Sequence, residues 1–148
     1  MLMLLRIYFR LFQQMKNKSP IEQVESEVFA MFLKLNKLEN AWHIPNETRT
    51  PYRGELMKQK KMGVSKGIPD FIVVIPAELC NLWRSILLFV EMKRQDGKPY
   101  DVKPEQRRRL EALEKVEDVW TFVAFGATEA MNFVSDYLIC PKKIDFNS

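Results

Sequence analysis

Two short apolar runs, each bordered by charged residues, constrain this sequence more than any other feature. Residues 71–75 read FIVVI and residues 86–90 read ILLFV. Both are short, rich in β-branched or large apolar residues, and bounded by turn or polar residues, which is typical of buried strands. The intervening segment, residues 76–85, suits the long loop of a hairpin. The sequence therefore predicts two neighbouring, largely buried strands.

The predicted hairpin brings charged residues together at one end. If the strands pair antiparallel about a point near Asn81, Asp70 falls opposite Glu91. Because side chains alternate along a strand, Glu91 and Lys93 project from the same face. Burying two carboxylates and one ammonium is costly unless a cation accompanies them. Carboxylate oxygens suit Mg²⁺ or Mn²⁺, so this end of the hairpin is a candidate metal site.

Helical and strand patterns occupy the rest of the chain. Ser19-Pro20 starts a helix predicted to end near Asn40, and Pro104 starts a second helix. Residues 41–45 and 119–125 suit strands, and a last helix is expected from about residue 128 to 139. With a further helix between residues 45 and 70, this order fits an α/β sandwich around a mixed central sheet.

Three motifs around the hairpin occur in the order found in one nuclease family. They are Gly63-x-x-x-Gly67-x-Pro69-Asp70, Phe89-Val90-Glu91-Met92-Lys93 and Pro104-Glu105-Gln106. Together they resemble the VRR-NUC domain, a branch of the PD-(D/E)XK nuclease superfamily, over roughly residues 21–139. Two departures are visible: residues 96–103 form a longer polar loop than is usual, and Phe29 stands where many members carry a Gln.

The resemblance implies a restriction-endonuclease-like α/β sandwich with about four strands in a mixed sheet flanked by helices. It also implies a metal-dependent DNA endonuclease that uses Mg²⁺, with Mn²⁺ as a substitute, to hydrolyse phosphodiester bonds. Stand-alone relatives of this type resemble homodimeric nucleases that select branched DNA such as four-way junctions. A phage or bacterial cytoplasmic location is expected, with no membrane association.

The same resemblance implies roles for individual residues. Lys93 would orient or deprotonate the attacking water, and Gln106 would help to fix the site. An acidic residue of the first helix should bind the metal, and Glu25 matches that position better than Glu27. The implied catalytic set is Asp70, Glu91, Lys93 and Gln106. The implied metal ligands are Glu25, Asp70, Glu91 and the carbonyl of Met92.

A basic run precedes the predicted metal site. Residues 49–66 contain six Lys or Arg and a single acid, Glu55. Such a run is usually a solvated face, but this one leads directly to the site where phosphates would need neutralising. Arg107, next to Gln106, is a further candidate. The predicted nucleic-acid contacts are Arg49, Arg53, Lys60, Lys61, Lys66 and Arg107.

Length and composition limit the alternatives. A chain of 148 residues indicates one domain, with residues 1–18 an uncertain N-terminal segment, residues 19–140 the nuclease-like domain and residues 141–148 a polar tail. The formal net charge of +4 is compatible with an anionic partner. The single histidine, His43, weakens any zinc-hydrolase interpretation, and two distant cysteines indicate reduced thiols. A sequence-specific restriction-type nuclease and a non-catalytic nucleic-acid-binding module remain open.

Overall fold

A computed structural model describes residues 22–44, 54, 57, 58, 61 and 67–144. Three helices and four strands have defined bounds, and one 3-10 turn, Pro99–Asp101, follows the third strand. The isolated positions 54, 57, 58 and 61 are also helical. The elements in chain order are α1 (Glu22–Leu35), β1 (Ala41–His43), β2 (Phe71–Ile75), β3 (Ile86–Lys93), α2 (Pro104–Leu113), β4 (Val119–Phe125) and α3 (Ala127–Ser135).

The four strands form one mixed sheet in the order β1-β2-β3-β4. β2 is antiparallel to both β1 and β3, and β4 runs parallel to β3 after a crossover that contains α2. Phe71 pairs with Val90, and Ile75 with Ile86. This register confirms the predicted hairpin, and the mixed four-stranded α/β architecture confirms the predicted fold class.

The two faces of the sheet have different roles. Alternate residues of β3, such as Val90 and Met92, join side chains of α1 and α3 in the main hydrophobic core. Phe29 of α1 packs edge-on against Phe71, with ring centroids 4.9 Å apart. The intervening residues of β3, including Glu91, point to the other face, where α2 begins. One face therefore holds the main core, while the other carries Leu87 and Phe89 along β3 and then Glu91 and Lys93 at its end.

The first helix is shorter than the sequence predicted. α1 ends at Leu35, because Lys37 adopts a left-handed conformation with φ of 57° and Leu38 donates its N–H to the carbonyl of Leu33 at 3.0 Å. Leu38 is buried, which anchors this helix terminus in the core. The last helix likewise ends at Ser135 rather than near residue 139. Tertiary burial of the chain after each helix sets these ends.

Some predictions concern residues outside the described part of the chain. These are the helix start at Ser19-Pro20, the N-terminal segment 1–18 and the last part of the polar tail. Within the described residues, no helix is both long and apolar enough to cross a membrane.

Candidate active site

The end of the β2–β3 hairpin brings Asp70 next to Glu91, as the register predicted. Asp70 lies immediately before β2, and its Oδ2 accepts a hydrogen bond of 2.8 Å from the backbone N–H of Met92. This bond ties the carboxylate to β3, so the main chain fixes its position. Glu91 and Lys93 project from one face of β3, where Lys93 Nζ lies 2.6 Å from Glu91 Oε1. Two carboxylates and one ammonium group thus lie together at this end of the sheet.

Glu91 is the most constrained of these side chains. It is only 1% exposed, and its Oε1 accepts hydrogen bonds from Lys93 Nζ and Gln106 Nε2. Its Oε2 is buried and has no hydrogen-bond partner among the described residues. Burial and the charge of Asp70 raise the pKa of Glu91 to about 7, although Lys93 opposes the shift. A single ammonium therefore does not compensate the carboxylate pair.

Gln106 reaches the site because α2 starts beside it. Its Oε1 accepts the N–H of Lys103 at 2.9 Å, which directs Nε2 towards Glu91. Gly67 permits this close approach: a Cβ there would lie 2.9 Å from the backbone carbon of Glu105, and its φ is +76°. The glycine of the predicted motif therefore serves helix packing at this position.

The carboxylates of α1 are arranged differently from the expectation. Glu25 is 3% exposed, and its Oε2 accepts a hydrogen bond of 2.6 Å from the N–H of Ala127, the first residue of α3. Burial raises the pKa of Glu25, and the bond from Ala127 opposes that rise. Glu22, in the first turn of α1, lines the cavity together with Asp70 and Glu91. Glu27 is exposed and bonds to Gln23.

A cavity of about 760 Å³ opens over the hairpin end. Its described walls are the start of α1, residues 67–70, the end of β3, the segment 94–103 and the first turn of α2. Asp70, Glu91, Lys93 and Gln106 all line it, whereas Glu25 does not. The structure thus brings together the four residues that the sequence grouped as catalytic.

The donor set fits a hard divalent cation better than zinc. Within the described residues, no cluster of three or more His, Cys, Asp or Glu side chains could hold a metal ion. The cavity is lined by the carboxylates of Asp70 and Glu91, and Oε2 of Glu91 is buried with no hydrogen-bond partner among the described residues. Mg²⁺ characteristically binds one or two carboxylates and retains several waters, so it needs no larger protein cage. An added positive charge would also offset the repulsion that raises the pKa of Glu91.

The predicted nucleic-acid contacts are only partly described. Arg49, Arg53, Lys60 and Lys66 lie outside the described residues, while Lys61 and Arg107 are both exposed. The sequence analysis missed the cavity-lining side chains of the segment between β3 and α2, which include Lys98, Tyr100 and Lys103. One signal could have found them. This segment joins Lys93 to Gln106, two predicted site residues, and must therefore pass close to the site.

Comparisons with known proteins agree with this geometry. The family model for the VRR-NUC domain matches residues 12–124, a range that contains every residue of the hairpin end. A solved structure described as a VRR_NUC domain protein is 27% identical in sequence and superposes with a TM-score of 0.53. The match covers 82% of this chain and 93% of the chain in that structure. None of the curated proteins matches the chain. The chain belongs to the VRR-NUC family, whose domain is a nuclease domain of the PD-(D/E)XK type.

Proposed function

We propose that this protein is a Mg²⁺-dependent DNA endonuclease that acts preferentially on branched DNA. The observation that carries the proposal is the buried carboxylate of Glu91, which has one unpartnered oxygen among the described residues and lies beside Asp70 and Lys93 in an open cavity. Such an arrangement is unfavourable for a purely structural role, because burying a carboxylate oxygen without a hydrogen-bond partner costs free energy. It becomes favourable when a cation and a phosphate occupy the cavity.

Asp70, Glu91 and the carbonyl of Met92 would hold the metal ion, with Glu22 close enough to the cavity to contact its water ligands. When bound, Mg²⁺ supplies a water of lowered pKa and neutralises charge on the scissile phosphate. Glu25 would support this site indirectly by holding α3. We assign the α1 carboxylate near the metal to Glu22, which lines the cavity, rather than to Glu25, which does not.

The protein's own residues would position the remaining groups. Lys93 Nζ, held 2.6 Å from Glu91, can donate to the attacking water or to a non-bridging phosphate oxygen. Gln106 would keep Glu91 in one orientation, since its amide bridges Glu91 and the start of α2. Lys98 and Lys103 on the cavity wall would neutralise neighbouring phosphates.

Cleavage assays with matched variants test this function. Plasmid, linear duplex and four-way junction DNA would be incubated with and without Mg²⁺. Asp70→Asn and Glu91→Gln should abolish cutting, because each removes a negatively charged metal donor at nearly constant shape. Glu78→Gln is the control, since Glu78 is exposed in the β2–β3 loop at the opposite end of the hairpin. Cutting by Asp70→Asn at the rate of the unmodified protein would contradict the proposed mechanism.

The same substrate panel tests selectivity. Faster cleavage of the junction than of linear duplex would support the proposal that the protein recognises the shape of DNA. Equal cutting of all duplexes refutes it, and cutting at one recurrent sequence would favour the restriction-type alternative.

We further propose that the protein acts as a homodimer. Resolving a four-way junction requires cuts in two opposed strands, and a two-fold dimer provides two sites in that relation. Exposed Leu82 and Trp83, in the loop at the far end of the hairpin, provide apolar surface that could be buried without covering the cavity. Light scattering at micromolar concentration, with and without junction DNA, measures the mass directly. The mass of one protein chain in both samples would refute the dimer.

A further inference from the structure

The segment between β3 and α2 carries an aromatic side chain on the cavity wall. Tyr100 lines the cavity that contains Asp70 and Glu91, yet it is 81% exposed. No other large hydrophobic side chain in the described part of the chain is more exposed. Its ring therefore contributes little to the fold, and its position over the cavity requires another explanation.

The backbone beneath Tyr100 is held in one conformation by local hydrogen bonds. Asp101 Oδ2 accepts the N–H of Lys98 at 2.7 Å, and the N–H of Asp101 donates to the carbonyl of Lys98 at 2.8 Å. Pro99 starts the 3-10 turn and fixes its own φ. The N–H of Gly97 also donates to the carbonyl of Arg94 at 2.8 Å. The turn thus fixes the backbone of Tyr100, which lowers the entropic cost of placing its ring on a ligand.

Two lysines beside the ring can bind an anionic ligand. Lys98 and Lys103 line the same cavity, and neither forms an ion pair with any described residue. The acids of the segment are already engaged: Asp96 accepts two hydrogen bonds from Arg94, at 3.0 and 2.8 Å, and Asp101 accepts one from the backbone. The turn therefore combines one aromatic face with two available ammonium groups.

We propose that Tyr100 stacks on an unpaired DNA base close to the scissile phosphate, while Lys98 and Lys103 contact the phosphates on either side of it. This inference rests on the proposed function and specifies what the site recognises. Every base has an aromatic face, so stacking selects for an accessible face rather than for a sequence. In continuous duplex both faces of each base are covered by neighbours. A branch or a flap exposes them, so Tyr100 gives the site a physical means of preferring such DNA.

Binding to fluorescent DNA tests the stacking without requiring cleavage. Asp70→Asn would be titrated with a duplex that carries a single-stranded flap, in which 2-aminopurine occupies each unpaired position near the branch in turn. Stacking on Tyr100 should change the fluorescence of 2-aminopurine at one of these positions. In the same background, Tyr100→Leu should abolish that change and weaken flap binding by about 5- to 150-fold, the loss typical of one base–aromatic stack.

Two comparisons separate stacking from a structural effect. Tyr100→Phe keeps the ring and should retain both the fluorescence change and the affinity. On fully paired duplex, the Leu and Phe variants should bind alike, because no base face is available there. The melting temperatures of both variants should match that of the parent, since the side chain is exposed.

Each contrary result has a definite meaning. Equal weakening by Tyr100→Leu on flap and paired duplex overturns the unpaired base as the ligand. Retention of the fluorescence change in Tyr100→Leu overturns the stacking itself, as does the absence of binding to either DNA. If the unmodified protein fails to cleave any DNA in Mg²⁺ while the Tyr100 results hold, the proposed catalytic function fails and the binding inference stands.

Discussion

Two glutamates of α1, one helical turn apart, should separate the chemistry from the stability of this protein. Glu22 lines the cavity, whereas Glu25 is buried against the N-terminus of α3. We predict that Glu22→Ala lowers cleavage and leaves the fold stable, and that Glu25→Ala mainly lowers stability. Both changes truncate a glutamate in the same helix, so each variant serves as the control for the other.

The expected loss for Glu25→Ala follows from its contacts. The 2.6 Å bond from Ala127 is charge-assisted, and such bonds contribute about 1.5–3 kcal/mol. Part of this is offset, because Oε1 of Glu25 is buried without a partner among the described residues. A net loss of about 1–2 kcal/mol corresponds to a fall in Tm of about 2–8 °C for a domain of this size. Glu25→Gln retains an acceptor oxygen for Ala127 and should remain closer to the parent.

We expect Glu22→Ala to lower the rate of DNA cleavage. Glu22 is exposed, so its removal should not change Tm measurably. Residues that act through the waters around a metal typically change affinity or activity by about 10- to 100-fold. Initial cleavage rates at several Mg²⁺ concentrations measure this loss, and thermal melting of the same samples measures stability. The reasoning is refuted if Glu25→Gln is folded but inactive while Glu22→Ala cuts at the parental rate.

Four further predictions concern the electrostatics, packing and DNA contacts of the site. Because burial and the charge of Asp70 raise the pKa of Glu91 to about 7, Mg²⁺ binding should release more protons at pH 6 than at pH 8. Calorimetry in buffers of different ionisation enthalpy measures the release, and equal release at both pH values would contradict the shift. The same shift favours the protonated carboxyl in the folded state, so without metal the stability contributed by Glu91 should fall as pH rises from about 4 through about 7. Denaturant titrations at several pH values test that sign. Gly67→Ala should lower Tm by at least about 2 °C and slow cleavage, because its Cβ would meet the backbone of Glu105 and its φ is positive. Gly54→Ala, where no atom of the described residues lies within 4 Å of the added methyl group, is the control, and equal behaviour of the two variants would argue against the packing role. Replacing the predicted basic contacts together should weaken DNA binding. The slope of the logarithm of the binding constant against the logarithm of salt concentration should fall by about one unit per lost phosphate contact. An unchanged slope would indicate that these residues form only a solvated face. The residues to replace are Lys60, Lys61 and Lys66.

The sequence by itself determined the sheet and the residues at the hairpin end. Two apolar runs with a loop of known length fix a register, and the register places Asp70 beside Glu91. Alternation along β3 then places Lys93 on the same face as Glu91. These inferences succeeded because strand periodicity and loop length are local properties that the sequence displays directly.

Only the tertiary structure decided which carboxylate of α1 faces the cavity. Glu22 and Glu25 are three residues apart and project from similar sides of the helix, so helical periodicity cannot separate them. What separates them is the position of α3, whose first N–H binds Glu25, and the distance of each residue from the sheet end. Likewise, the sequence indicates only that the segment between Lys93 and Gln106 passes near the site, and the tertiary structure decides that Tyr100 lines the cavity. Such placements depend on contacts between segments far apart in sequence, which a local pattern does not encode.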